Sequence, residues 1–335
     1  MRVQLNSLED CRGQLNELSD RQAMGLPDGY VVLRHEQLFD SFRSILSLTP
    51  AALSALCEDE SRPLEERLAA GTLLSLIGDP RINPFAPSMI PIPGGVATLG
   101  TAPEEVDDIV ERYKETGIIA EWIRKESPMF EVRLSPYAIG QYPVTNLEYW
   151  HFVRDNPSAE LPTSWVFGRY PAEKANHPVH TVTEGAAEAY CRWLADKTGR
   201  AFRLPTEFEW EFAASGSERR EFPWGDTFLE DHANTVETGL LASTPVGIFP
   251  HGRSPFGVFD MAGNVEEYVA CDYRPYPNGE DIQDDLVHSL GTYRIARGGS
   301  FTRLRDLARC RRRHGRYPRD IYVMGFRLAE DVIDD

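Results

Sequence analysis

Along HEQLFDSFRSILSL (residues 35–48) the apolar positions Leu38, Phe39, Phe42, Ile45 and Leu46 recur on one side of a helical wheel, which predicts an amphipathic helix. PLEERLAAGTLLSLIG (63–78) predicts a second one. Pro63 suits a first helical turn, Gly78 stops the helix and Pro80 follows; Leu64, Leu68, Leu76 and Ile77 mark its expected buried side. Residues 1–85 therefore read as a small helical region. Pro and Gly then cluster in PFAPSMIPIPGGVATLG (84–100), which predicts a boundary followed by a short strand. Residues 103–125 read as a charged helical insertion. Beyond it the chain breaks into short elements separated by turn residues. Thr145-x-x-Glu148, Thr181-x-x-Glu184 and Thr206-x-x-Glu209 each match a capping box, in which the Thr and Glu side chains satisfy opposing backbone donors. The middle box is expected to open a helix through AAEAYCRWLADKTG, closed by Gly199, with Ala187, Tyr190, Cys191 and Leu194 on its apolar face.

Charge changes this picture. The 335 residues carry a net charge of −17, which argues against nucleic acid or an anionic membrane as the general partner. Residues 291–319 nonetheless hold ten Arg and one acid, Asp306, and leave −26 on the rest of the chain. Five widely spaced cysteines without a CxxC pair argue against a disulfide framework or a structural zinc site. The first residues lack an apolar leader core and no run approaches 18 apolar residues, so a soluble, cytoplasmic protein is expected.

Eight stretches occur in one order: MIPIPGG (89–95), YPVTNLEYWHFV (142–153), HPVHTVTEGAAEAYCRWL (177–194), RLPTEFEWEFAASG (203–216), FPWGD (222–226), GVFDMAGNVEEY (257–268), RGGSF (297–301) and GFRLA (325–329). The series resembles the formylglycine-generating enzyme, or sulfatase-modifying factor, superfamily. The resemblance implies an α+β fold, a variant of the C-type lectin fold with little regular secondary structure, over residues 86–335 and preceded by the helical region 1–85. Family enzymes oxidise a peptide cysteine to formylglycine with copper, which is held by two cysteines shortly after GGS. Counted from Ser300, those positions fall on Arg303 and Ala308, and neither side chain can ligate copper. The tryptophan that walls the family's pocket corresponds to Glu266. Formylglycine generation by the copper mechanism is therefore not expected. The helical region also lacks the HxxxH pattern by which other relatives bind iron, although His314 offers one nitrogen to such a metal.

The resemblance also implies a calcium site at Asp260, Gly263, Val265 and Glu267, where a tight turn brings hard oxygen donors together. The equivalent of the family's other calcium site, around ANT (233–235), is expected to be absent. ARCRRRHGR (308–316) reads as a strand whose alternation separates Arg309, Arg311 and Arg313 from Cys310, Arg312 and His314. Arg203 and Arg327 are expected to be tied to buried acids. The expected binding cleft holds Ser300, Arg303, Arg309, Arg311, Arg313, His314 and Glu266, since guanidinium groups suit carboxylates. Its expected occupant is an acidic peptide or protein, a carboxylate ligand, or the chain's own acidic helical segments at 54–66 and 103–111. Two functions follow. One is a ligand- or peptide-binding module; the other is a divergent metal-dependent oxidoreductase acting on a peptide or amino acid.

Overall fold

A computed structural model describes residues 8–11, 15–27 and 36–332. The N-terminal part contains helices α1 (Asp20–Ala23), α2 (Glu36–Ile45), α3 (Pro50–Cys57) and α4 (Leu64–Ile77). Pro63 and Gly78 bracket α4 as the pattern predicts. The face of α4 differs from the expectation. Leu76 and Ile77 are 62% and 57% exposed, while Ala69, Ala70 and Leu74 are buried. The reason is tertiary: α4 packs with Ile45, Leu53 and Leu56 on one side and Ile248 and Phe249 of the main body on another. Gly71 sits against Pro245 so closely that a Cβ would lie 2.6 Å from the proline Cβ. Helix α3 was not foreseen; Thr49 caps it by accepting from the Ala52 N–H at 3.2 Å. Phe42 and Ile45 pack inward as predicted, Leu46 is exposed, and the side chains of Leu38 and Phe39 lie outside the described residues.

The rest follows as β1 (Met89–Ile92), β2 (Gly95–Leu99), α5 (Val106–Arg112), α6 (Ala120–Arg124), β3 (Phe130–Leu134), β4 (Tyr137–Gly140), α7 (Asn146–Asp155), α8 (Glu184–Thr198) and β5 (Phe202–Arg203). It ends with α9 (Glu207–Ser215), β6 (Glu266–Asp272), α10 (Asp285–Leu290), β7 (Arg294–Arg297), β8 (Met324–Phe326) and β9 (Ala329–Asp331). Three small sheets form among the described residues, ordered β1-β4-β9-β5, β2-β3 and β7-β6-β8. Residues 216–265 and 298–323 contain neither α-helix nor strand. Such long irregular runs are held by side chains rather than by ladders.

The capping boxes at Thr145 and Thr206 form as expected. The middle one does not. Thr181 has φ +61, and its hydroxyl accepts from the Ser164 N–H instead. Thr183 is the cap of α8, accepting from the Ala186 N–H at 3.2 Å. The predicted strand through ARCRRRHGR is absent as well. Gly298 and Gly299 both take positive φ, and residue 299 passes so close to Leu307 and Ala308 that only glycine fits. Arg309–Arg312 then form a turn, and His314 alone bridges to Ala296 of β7.

Candidate functional site

The arginines after GGS separate into two sets. Arg309 lies under the insertion, where its Nη1 and Nη2 donate to Glu126 at 3.1 and 3.0 Å and its Nε donates to Glu221 at 2.7 Å. Arg311 Nη2 donates to Glu221 at 3.2 Å. Arg313 makes a two-point pair with Glu207 at 2.8 and 3.0 Å and lies 4.0 Å above the Tyr276 ring. Arg297 shares Glu207 and adds Glu211, at 2.8 and 2.9 Å. Glu207 and Glu211 project together because they lie four residues apart on α9. Burial alone would raise the Glu207 carboxyl, but Arg313 and Arg297 outweigh it and hold it below the usual range. Burial likewise opposes the charge on Arg309 and Arg313, and their acids more than restore it.

These three predicted cleft residues therefore face the chain's own acids. The acids are not the ones expected, since Glu58, Glu60, Glu66 and Glu111 pair with Arg81, Arg253, Arg62 and Lys114. Ser300 is buried too, its hydroxyl 2.9 Å from that of Thr302.

The second set is Arg303, Glu266 and His314, joined by Tyr322, Arg312 and Asp306. Along β6 alternate side chains point to opposite faces. Glu267 faces Trp210 and Arg327, while Glu266 faces His314, which the bridge to Ala296 fixes in place. His314 Nδ1 lies 2.7 Å from Glu266 Oε2, and its ring stacks on Tyr322 at 5.3 Å. The Arg303 guanidinium lies 4.8 Å over the same tyrosine. All three are buried, with Glu266 at 0% exposure.

Their hydrogen bonding is incomplete. Glu266 Oε1, Arg303 Nη1 and Arg312 Nε have no partner in the protein. Buried polar atoms are paired in the great majority of cases, so three orphans in one place leave hydrogen-bonding capacity that water or a ligand can fill; Arg312 Nε also lies 3.9 Å from Asp306 Oδ2. Burial pushes Glu266 up to about 7, against the pull of Arg303 and Arg312. Burial, then Arg303 and Arg312, hold the His314 imidazole well below its usual range. Near neutral pH the His314 ring is therefore uncharged and Glu266 is only partly ionised. Tyr322, Arg312 and Asp306 were missed because nothing in their local sequence distinguishes them; the turn after GGS brings them in.

The calcium proposal meets a competing cation. Both Glu267 oxygens accept from Arg327, at 2.6 Å each, and Oε2 also accepts from Trp210 Nε1 at 2.7 Å. Asp260 Oδ2 accepts from the Gly247 N–H at 2.8 Å. As placed, Glu267 does not fit a calcium ion, which would have to displace a buried guanidinium. Arg327 and Arg203 are tied to acids as expected, Arg203 through Glu209 and Asp331. Among the described residues no group of three or more His, Cys, Asp or Glu side chains is arranged to hold a metal ion.

Residues 78–332 match the family described as the sulfatase-modifying factor enzyme 1-like domain. The chain belongs to that family. The inactive C-alpha-formylglycine-generating enzyme 2 of Mus musculus is 31% identical over 265 residues, covering 63% of this chain and 78% of that protein. Hercynine oxygenase of Mycolicibacterium smegmatis is 29% identical over 279 residues, covering 72% of this chain and 60% of that longer protein. Among solved structures, PvdO from Pseudomonas aeruginosa superposes with a TM-score of 0.56 at 26% identity, over 74% of this chain and 95% of the other. The expected fold, a formylglycine-generating-enzyme-like α+β domain with helices before it, is the observed one. Among the described residues no helix is long and apolar enough to cross a membrane.

Proposed function

We propose that this family member does not carry out copper-cysteine oxidation and is a binding protein whose ligand presents an acidic group to Arg303 beside the Glu266–His314 pair. The observation that carries this reading is the identity of the residues at the family's copper positions. Arg303 and Ala308 occupy them, and the Arg303 guanidinium is buried with an unpartnered Nη1. A buried guanidinium lacking a direct ion pair is costly, and an incoming carboxylate would remove that cost. Arg309, Arg311 and Arg313 drop out of the proposed site because Glu126, Glu221 and Glu207 already provide their counter-ions. The similarity to a relative described as inactive supports a non-oxidising role.

The test uses the full-length protein, thermal-shift measurements and a panel of small carboxylates and blocked acidic peptides. At least one should raise the melting temperature of the parent and fail to raise that of Arg303→Met. A response retained by that variant would refute the site. The second reading, a metal-dependent oxidoreductase, is favoured by the His314–Glu266 pair stacked on Tyr322 and by the similarity to hercynine oxygenase. Stoichiometric iron or copper in purified protein would overturn the binding-only reading.

A further inference from the structure

Something of the chain's own already lies over this site. Cys11, Leu15, Ala23, Met24 and Leu26 are buried in one cluster with Trp122, Leu304, Ala308, Ile321 and Tyr322. The charges of Asp306 and Arg303 both act on the Cys11 thiol, which burial pushes up to about 11, so that thiol sits beside the Arg303 region. Asn16 Oδ1 accepts from the Tyr322 hydroxyl at 2.9 Å, and Asn16 Nδ2 donates to Asp285. Asp20 Oδ1 accepts from Arg319 Nη2 at 2.7 Å, and the Leu15 carbonyl accepts from Arg319 Nη1 at 2.9 Å. The Cys11 N–H donates to the Glu115 carbonyl at 2.9 Å.

Resting on the site assignment above, we propose that residues 8–11 and 15–26 form a displaceable strap. The strap seals the Arg303–Glu266–His314 site, and an acidic peptide able to form the same helical turns opens it by competing for Arg319 and Tyr322. Two observations support displacement. In the ion pair between Asp20 and Arg319 the Asp20 side chain is 46% exposed. Exposed pairs of that kind contribute at most about 1 kcal/mol. A pocket of about 590 Å³ lies along the strap, bordered among the described residues by Glu9, Asp10, Leu18, Gln22, Gly25 and Leu26. The anchor points also define the competitor: a carboxylate for Arg319, and an amide acceptor for Tyr322 four residues before it.

Cys11 reports opening directly. In the full-length protein, N-ethylmaleimide labelling is followed residue by residue by mass spectrometry. The double variant Asn16→Ala/Asp20→Ala removes four hydrogen bonds to the body and is expected to label Cys11 at least about tenfold faster than the parent. Cys191 and Cys310, buried in the body, should keep their rates. A synthetic peptide spanning residues 8–27, with serine replacing its cysteine, should raise the rate at Cys11 of the parent chain; its scrambled version should not. An unchanged Cys11 rate in the variant, an equal rise at all cysteines, or no response to the peptide would each overturn the strap. Failure of the site reading looks different: strap behaviour stays as described while Arg303→Met retains the carboxylate response.

Discussion

Arg309 and Arg303 lie on the same arginine-rich stretch and both are removed from solvent, yet their surroundings are opposite. Arg309 meets Glu126 and Glu221 through Nε, Nη1 and Nη2, and Arg313 meets Glu207 in the same manner. Arg303 lies over a tyrosine ring with Nη1 unpartnered, beside a histidine–glutamate pair that has an orphan oxygen of its own. The first region is scaffold. It stands in for hydrogen-bonded ladders where the backbone makes none, as in residues 298–323. Both regions keep unpartnered atoms, Arg297 Nε and Arg311 Nε in the first and Arg303 Nη1, Arg312 Nε and Glu266 Oε1 in the second, but Arg297 and Arg311 already pair with acids whereas Arg303 makes no direct ion pair among the described residues. Density of positive charge alone therefore does not separate scaffold from candidate site.

The strongest challenge to this contrast is Glu207→Ala. It strips the shared counter-ion from Arg297 and Arg313 together, and should cost about 3–5 kcal/mol in urea unfolding. A loss below about 1 kcal/mol would show that the network is dispensable.

Next in size is the pH dependence of Glu266. Its pKa is raised from 4.5 to about 7 in the folded protein, so its stabilisation is fully present below about pH 4.5 and lost as pH rises through 7. Glu266→Gln, which stays neutral, should gain on the parent above pH 7 by roughly 1–3 kcal/mol in chemical denaturation, with no such gain near pH 4.5. His177 and His180 act in the opposite direction. Burial lowers them to about 3 and 4, so their contribution is present above about pH 6.5 and lost as pH falls below it. The difference between variant and parent isolates Glu266 from them.

Arg303→Met should change stability by less than about 1.5 kcal/mol, because an apolar side chain of similar length removes an incompletely paired charge. A cost equal to that of Glu207→Ala would erase the distinction between the two regions. The smallest expected effect is that of calcium. Millimolar calcium against chelator should leave the melting temperature unchanged, because Arg327 holds Glu267; a clear rise would restore the calcium reading of that turn.

The fold was legible because much of it is written locally. Pro63 and Gly78 mark α4, and Thr145 and Thr206 each carry the glutamate that completes their caps. Errors arose where the backbone conformation depended on distant partners. Thr181 satisfies the capping pattern but bonds to Ser164, and Leu76 with Ile77 extends past the surface that buries the rest of α4. In the site, Arg303, Glu266 and His314 were legible by position in the family's order of motifs. Their division from Arg309, Arg311 and Arg313 was not, since one arginine in a sequence looks like another.

By itself the sequence determined the family, the order of its motifs and the concentration of arginine after GGS. Those are properties of residue identity and spacing. Only the tertiary structure decided which arginines are neutralised, because Glu126, Glu207 and Glu221 lie about 90 to 180 residues away along the chain and meet them only after folding. It also placed residues 15–20 against Arg319 and Tyr322. Whether a buried charge becomes scaffold or site depends on what folding brings within hydrogen-bond distance, and that distance is fixed by the packed whole.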